Sequence, residues 1–330
     1  MRRASLALLF LAAPLAATTE EPVEVACPLC ANAFRAMEWG STNSLGGQDR
    51  DFLTHAAGGQ VFLNACWTCP ACRYTGLSQD FESEQAPKEL LEALRKENSL
   101  RPAAPIDPKL KEAWKIPAWV RYDLWIQALR LRSDTPRGLL AFAHLRVAQT
   151  QRFDWIATEG VRDFEKRGGA LWDAMKERLK EIDDGYEREI TFARGLEGIE
   201  GAEREFALLL AAVIYKTRGE DPDAARLVAV LREHKQLEEG VAAALREIEE
   251  RIARAREYTL LALPLFLEEL GSEAGDREKA LWLRYRVGEL LRIVGEKEKA
   301  LAQLEPLLKE EEPPDGFRAW VEEAIAKTGR

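Results

Sequence analysis

The chain has 330 residues, 46% of them hydrophobic, with a formal net charge of −9 and a pI near 5.3. That length and apolar content suffice for two domains or one extended array with a real core, which excludes disorder as the default state. The acidic balance excludes nucleic acid as the expected partner, because phosphate-tracking surfaces draw their affinity from clustered Lys and Arg.

Arg2 and Arg3 precede an apolar run over 4–16, and small residues at Ala16, Ala17 and Thr18 lead into acidic Glu20 and Glu21. This is the layout of a cleavable export signal over 1–17. The run is shorter than the ~20 residues that span a bilayer, and Pro14 interrupts it. The mature chain is therefore expected to be extracytoplasmic, periplasmic or secreted, with no transmembrane span. The apolar stretch 260–267 contains Pro264 between charged flanks and reads as a buried core helix.

Residues 23–85 carry the chain's most definite chemistry. Cys27-Pro28-Leu29-Cys30 and Cys69-Pro70-Ala71-Cys72 stand thirty-eight residues apart. Each CxxC knuckle aims two sulfurs at one point, and two knuckles supply the tetrahedral thiolate set that structural zinc prefers. Cys27, Cys30, Cys69 and Cys72 are thus the candidate metal ligands, with Zn²⁺ as the occupant and iron as the alternative. Haem attachment lacks its histidine, since Ala31 and Arg73 follow the pairs, and structural disulfides remain a competing use of the thiols in an oxidising compartment. The fifth cysteine, Cys66, is expected to be buried, with a swap into the metal site or a disulfide as its other options. Between the knuckles, Gly-rich turns and a strand-like run over 60–65 suggest a zinc ribbon. His55 is expected as a partly exposed loop residue, and Asp49-Arg50-Asp51-Phe52 as turn and cap chemistry.

These residues resemble a bacterial family, domain of unknown function 2225. Its pattern is a CPxC, an Asp-x-Asp-Phe element and a CPxCGY ahead of TPR-like helices. The resemblance covers mainly residues 25–82 through CPLC, Phe34, Asp49, Asp51, Phe52, CPAC, Tyr74 and Phe81, and it implies metal ligation by the same four cysteines. Arg73 stands where the family usually has Gly.

A helix over 87–98 and a segment with prolines at 102, 105 and 108 read as a connection spanning 86–108. Residues 109–330 then follow a helical period. Trp119, Leu124, Trp125, Ala128 and Leu131 share one face. Leu139, Leu140, Ala143, Leu145 and Val147 form the next, behind Pro136, and Val241, Leu245, Ile248, Ile252 and Ala255 make the seam of a long helix that Pro264 should kink or end. Small residues recur at matching offsets around Ala212, Gly219 and Ala224 and around Gly288, Gly295 and Ala300, as in TPR helix pairs. Trp125, Trp155, Trp172, Trp282 and Trp320 read as core, and His144 and His234 as structural or surface residues. No catalytic motif is visible.

The expected protein is therefore mainly α, a small zinc-ribbon-like module followed by an irregular TPR-like array. The expected function is that of an exported, non-enzymatic scaffold that binds a protein or peptide through its helical surface. The alternative is an extracytoplasmic thiol–disulfide or metal-handling protein that uses the cysteine cluster.

Overall fold

In the computed structural model, the described residues are 18–82, 88–96, 100–153, 157–234, 237–272 and 276–329. The export signal read over 1–17 and Trp155 lie outside them.

Two short antiparallel pairs build the N-terminal module. Strand β1 (Thr19–Ala26) pairs with β2 (Ala33–Ser41), placing Val25 opposite Phe34 and Val23 opposite Ala36. After a loop comes one turn of helix, α1 (Phe62–Ala65), then β3 (Cys66–Thr68) paired with β4 (Thr75–Leu77). The strand expected over 60–65 is thus helical for most of its length. Leu63 N–H donates to the Gln60 carbonyl and Asn64 N–H to that of Val61, so the chain coils before it extends at Cys66.

Helix α2 (Lys88–Lys96) buries Leu90, Leu91 and Leu94 against the module. Helix α3 (Ala118–Arg130) adds Val120, Leu124 and Ala128 to the same core, which also holds Phe34, Trp67, Tyr74 and Phe81. Leu131 caps that helix and is exposed. The module is thereby continuous with the helical body.

The body continues through α4 (Arg137–Thr150), α5 (Phe164–Leu179), α6 (Gly185–Glu197), α7 (Arg204–Thr217), α8 (Asp221–Arg232) and α9 (Glu239–Ser272). It ends with α10 (Arg277–Ile293), α11 (Lys297–Leu304) and α12 (Phe317–Thr328). Pro136 is the N-cap of α4, as its missing N–H allows. Helix α9 does not end at Pro264 but runs through it. The 260–267 run is buried on one side only, through Ala262, Leu263 and Phe266, while Leu260, Leu261 and Leu267 are exposed. No helix among the described residues is long and apolar enough to cross a membrane.

The two small-residue patterns mark two alike helical hairpins. In α7–α8, Gly219 (φ 74°) ends the first helix, and Glu220 N–H donates back to the Tyr215 carbonyl. In α10–α11, Gly295 (φ 83°) ends the first helix and Glu296 N–H donates to the Leu291 carbonyl. Both are left-handed glycine caps that turn the chain sharply enough for antiparallel packing. Gly288 shows the closeness that results, since a Cβ there would lie 2.6 Å from Leu304 Cγ.

Candidate metal centre and the loop it carries

The two knuckles repeat one backbone design. In the first, Cys27 N–H donates to the Asn32 carbonyl and Ala31 N–H returns to the Cys27 carbonyl. In the second, Cys69 N–H donates to the Tyr74 carbonyl and Arg73 N–H returns to that of Cys69. Closing so tight a loop forces the residue after the second cysteine into the left-handed region, Ala31 at φ 58° and Arg73 at φ 68°. Glycine takes this conformation without a Cβ clash. That is the physical reason for a CPxCGY pattern, and Arg73 departs from it at a steric cost.

All four sulfurs converge. Cys27 Sγ lies 3.5 Å from Cys72 Sγ, Cys30 Sγ lies 3.7 Å from Cys69 Sγ, and the set falls within 4.8 Å. A tetrahedral zinc–thiolate shell with bonds of ~2.3 Å has sulfur–sulfur edges of about 3.8 Å. The cluster therefore fits a metal ion. Cys27 and Cys69 are buried, Cys72 is half-buried and Cys30 is exposed.

The neighbouring Cys27 and Cys72 thiols, with the Ala71 and Cys72 N–H groups, lower the Cys69 thiol against the opposing effect of burial. Cys27, sharing its proton with Cys69, is pushed up to about 12. The Asn32 amide lies 3.8 Å from Cys69 Sγ and favours its thiolate form. Cys66 stands apart, fully buried, its Sγ 3.5 Å from the Arg121 carbonyl.

The loop between the knuckles, over 42–61, is where sequence reasoning fell short. Asp49 N–H bonds the Leu53 carbonyl and Phe52 N–H the Asp49 carbonyl, so a turn is present. Leu53 N–H also donates to Asp51 Oδ1 at 3.4 Å, as the expected turn chemistry requires, but most of the carboxylate oxygens' bonds go elsewhere. Asp49 and Asp51 are buried to 1% and 2% exposure against the helical body. Arg152, just beyond α4, donates to Asp49 Oδ2 at 2.6 Å and to both Asp51 oxygens at 3.0 and 2.5 Å. Arg218, at the end of α7, reaches Asp49 Oδ1 at 3.4 Å and the Gly46 carbonyl at 2.9 Å. Burial alone would raise Asp51, but Arg152 and Gln149 together bring it down to about 2. His55, expected near the surface, is buried with Nε2 2.8 Å from Asp49 Oδ2.

The neighbouring residues extend the same contact. Arg50 pairs with Glu187 on α6 and Glu323 on α12, each at 2.6 Å, between the rings of Tyr186 and Trp320. Phe52, at φ 69°, enters a cage of Trp282, Tyr285 and Trp320 with ring centroids 5.6 Å away in each case. Beneath them Glu220 receives Arg292 and Lys327, each at 2.8 Å, so the buried charges continue as a paired network. Gly47 lets the loop backbone lie against α6, since a Cβ there would stand 2.9 Å from Tyr186 N.

Residues 22–154 match the DUF2225 family model, described as an uncharacterized protein conserved in bacteria. The resemblance read from the cysteine and Asp-x-Asp-Phe motifs thus holds over a stretch that contains both knuckles, Asp51 and its partner Arg152. Arg218, Glu220 and Arg292 lie outside the DUF2225 match. Neither a curated protein nor a solved structure matches the chain.

The arrangement is suited to fastening. Asp49 and Asp51 have no free lone-pair direction toward solvent and act as anchors for arginines, a use quite different from general acid–base work. Two positions mark what a sequence reader could have noticed, Gly46 and Gly47 ahead of an acidic pair. Neither names the cations that receive it. Among the tryptophans, Trp125 is buried in the core, and Trp282 and Trp320 are the cage walls. His144 is buried in α4, and His234 bonds Glu205 at 2.8 Å.

Proposed function

We propose that Cys27, Cys30, Cys69 and Cys72 hold one structural zinc ion, and that the chain is an exported, non-enzymatic scaffold whose helical surface receives a protein or peptide. The convergence of four sulfurs within 4.8 Å carries the metal reading. When bound, a closed thiolate site supplies cross-linking, and its binding energy becomes folding energy. The two knuckles flank the 42–61 loop on either side, so fixing them relative to each other fixes the docked Asp49–Phe52 segment. The exposed Leu260, Leu261 and Leu267 of α9 support a partner surface, because large apolar side chains left in water favour contact with another chain. The 1–17 segment supports export.

Exposed Cys30 and half-buried Cys72 favour a second reading, metal handling or thiol–disulfide exchange outside the cytoplasm. Metal analysis with thiol counting on protein from its native compartment separates the two. The scaffold reading expects one zinc per chain and thiols that resist alkylation until a chelator is added. A reversible disulfide with little metal overturns it. A mature N-terminus that retains residues 1–17 would overturn export.

A further inference from the structure

We infer, on the zinc reading proposed above, that Asn32 is a positioning residue of the metal centre, a brace from one knuckle that holds Cys69 of the other as a metal ligand. The two knuckles share their backbone bonds, so Asn32 and Tyr74 stand at matching places, each accepting at its carbonyl the N–H of its own knuckle's first cysteine. Their side chains then part company. Tyr74 turns inward, is fully buried and donates its hydroxyl to the Asp80 carbonyl at 2.8 Å. Asn32 is half-buried and crosses over instead, its Nδ2 lying 3.8 Å from Cys69 Sγ.

Asn32 thus belongs to the first knuckle through its carbonyl and to the second through its amide. Among the described residues, it alone donates a side-chain hydrogen bond to a cluster sulfur from outside the four cysteines. The Ala71 and Cys72 N–H groups that also favour Cys69 come from that cysteine's own knuckle and cannot tie the two together.

Four thiolates around a divalent ion leave an excess of negative charge, which an N–H dipole aimed at sulfur offsets without adding a ligand. The same bond fixes where that sulfur sits. Cys69 is buried, whereas Cys30, its neighbour at 3.7 Å, is exposed, so the braced sulfur is also the one shielded from water. An aspartate at position 32 would keep the shape and present an acceptor where a donor is needed.

Zinc is withdrawn from the metal-loaded full chain with a competing chelator, in the parent, N32A and N32D. Loss of an outer-shell hydrogen bond should weaken the metal about tenfold in N32A. N32D should weaken it further, because a carboxylate then faces the thiolate. Cobalt(II)-loaded protein gives a readout that a merely structural role would not move. Its thiolate-to-cobalt charge-transfer band should shift to longer wavelength in both variants, since a sulfur lone pair released from an N–H donor rises in energy. Parent-like affinity in both variants, or weaker binding with the band unmoved, overturns the inference and leaves the zinc reading standing. A parent chain that holds no zinc overturns both.

Discussion

Arg152 grips Asp51 through two nitrogens, Nη1 to Oδ1 at 3.0 Å and Nη2 to Oδ2 at 2.5 Å, across a sequence separation of 101 residues. Both side chains are almost wholly buried, so removing the Asp51 charge leaves Arg152 with Asp49 alone in a medium that solvates an under-compensated cation poorly. D51N should lower the unfolding free energy by about 3–5 kcal/mol, read by urea denaturation. A loss below about 1 kcal/mol would mean that the pair is a bystander, as exposed ion pairs often are.

Acid should act in two stages. His144 is held at about 4 by burial and by Arg130, whose Nη2 lies 3.2 Å from its Nε2. Below the ordinary histidine range near 6.5 the unfolded chain takes up a proton that the folded chain refuses, so stability falls as pH drops from ~6.5 to ~4. Asp51 binds its proton near 2 when folded, against 3.8 as the unperturbed value. Its contribution, about 2 kcal/mol, is fully present above the unfolded pKa and is lost as pH falls from ~4 toward ~2. H144Q should flatten the upper limb and D51N the lower one. Urea midpoints collected between pH 2 and 7 test this, and a limb unchanged in its own variant refutes the assignment.

Helices α3, α4 and α9 were legible because their apolar residues repeat with the helical period, and the hairpin turns because Gly219 and Gly295 stand where left-handed caps are required. The convergence of the cysteines was legible because CxxC geometry is local and carries its own direction. The seat of Asp49, Asp51 and Phe52 was not, since its other half comes from Arg152, Arg218, Trp282 and Trp320, whose spacing in sequence encodes nothing about contact. Pro264 does not end α9, for a related reason. A proline forbids one backbone hydrogen bond, but burial of Ala262, Leu263 and Phe266 on one side of α9 favours continuing the helix.

Single cysteine changes should divide sharply. C69S removes one of the four converging sulfurs and should abolish stoichiometric metal, exposing the remaining thiols to alkylation. C66A should keep the metal, because its sulfur faces the Arg121 carbonyl and lies outside the four-sulfur group. Equal metal loss in both variants, measured by elemental analysis, would contradict the assignment of ligands.

Glycine at position 73 should be tolerated or favourable. A left-handed residue with a Cβ costs roughly 1–2 kcal/mol, while glycine costs somewhat less through its greater freedom when unfolded. R73G is therefore expected to match the parent or gain about 0.5 kcal/mol, the balance of those two terms. R95G, within α2, should instead lose about 1 kcal/mol. Thermal or urea unfolding of the pair decides it, and equal losses in both would show that φ at Arg73 carries no strain.

The cage around Phe52 has a consequence for biosynthesis. Trp320 emerges from the ribosome about 270 residues after the phenylalanine it stacks on, an interval of roughly 15–60 s at ordinary elongation rates. Throughout that time the acidic, aromatic segment at 49–52 has no completed seat, so an early metal-closed lobe would present it, bare and correctly shaped, to whatever helices arrive next. Vectorial synthesis thus delivers the key first and the lock last.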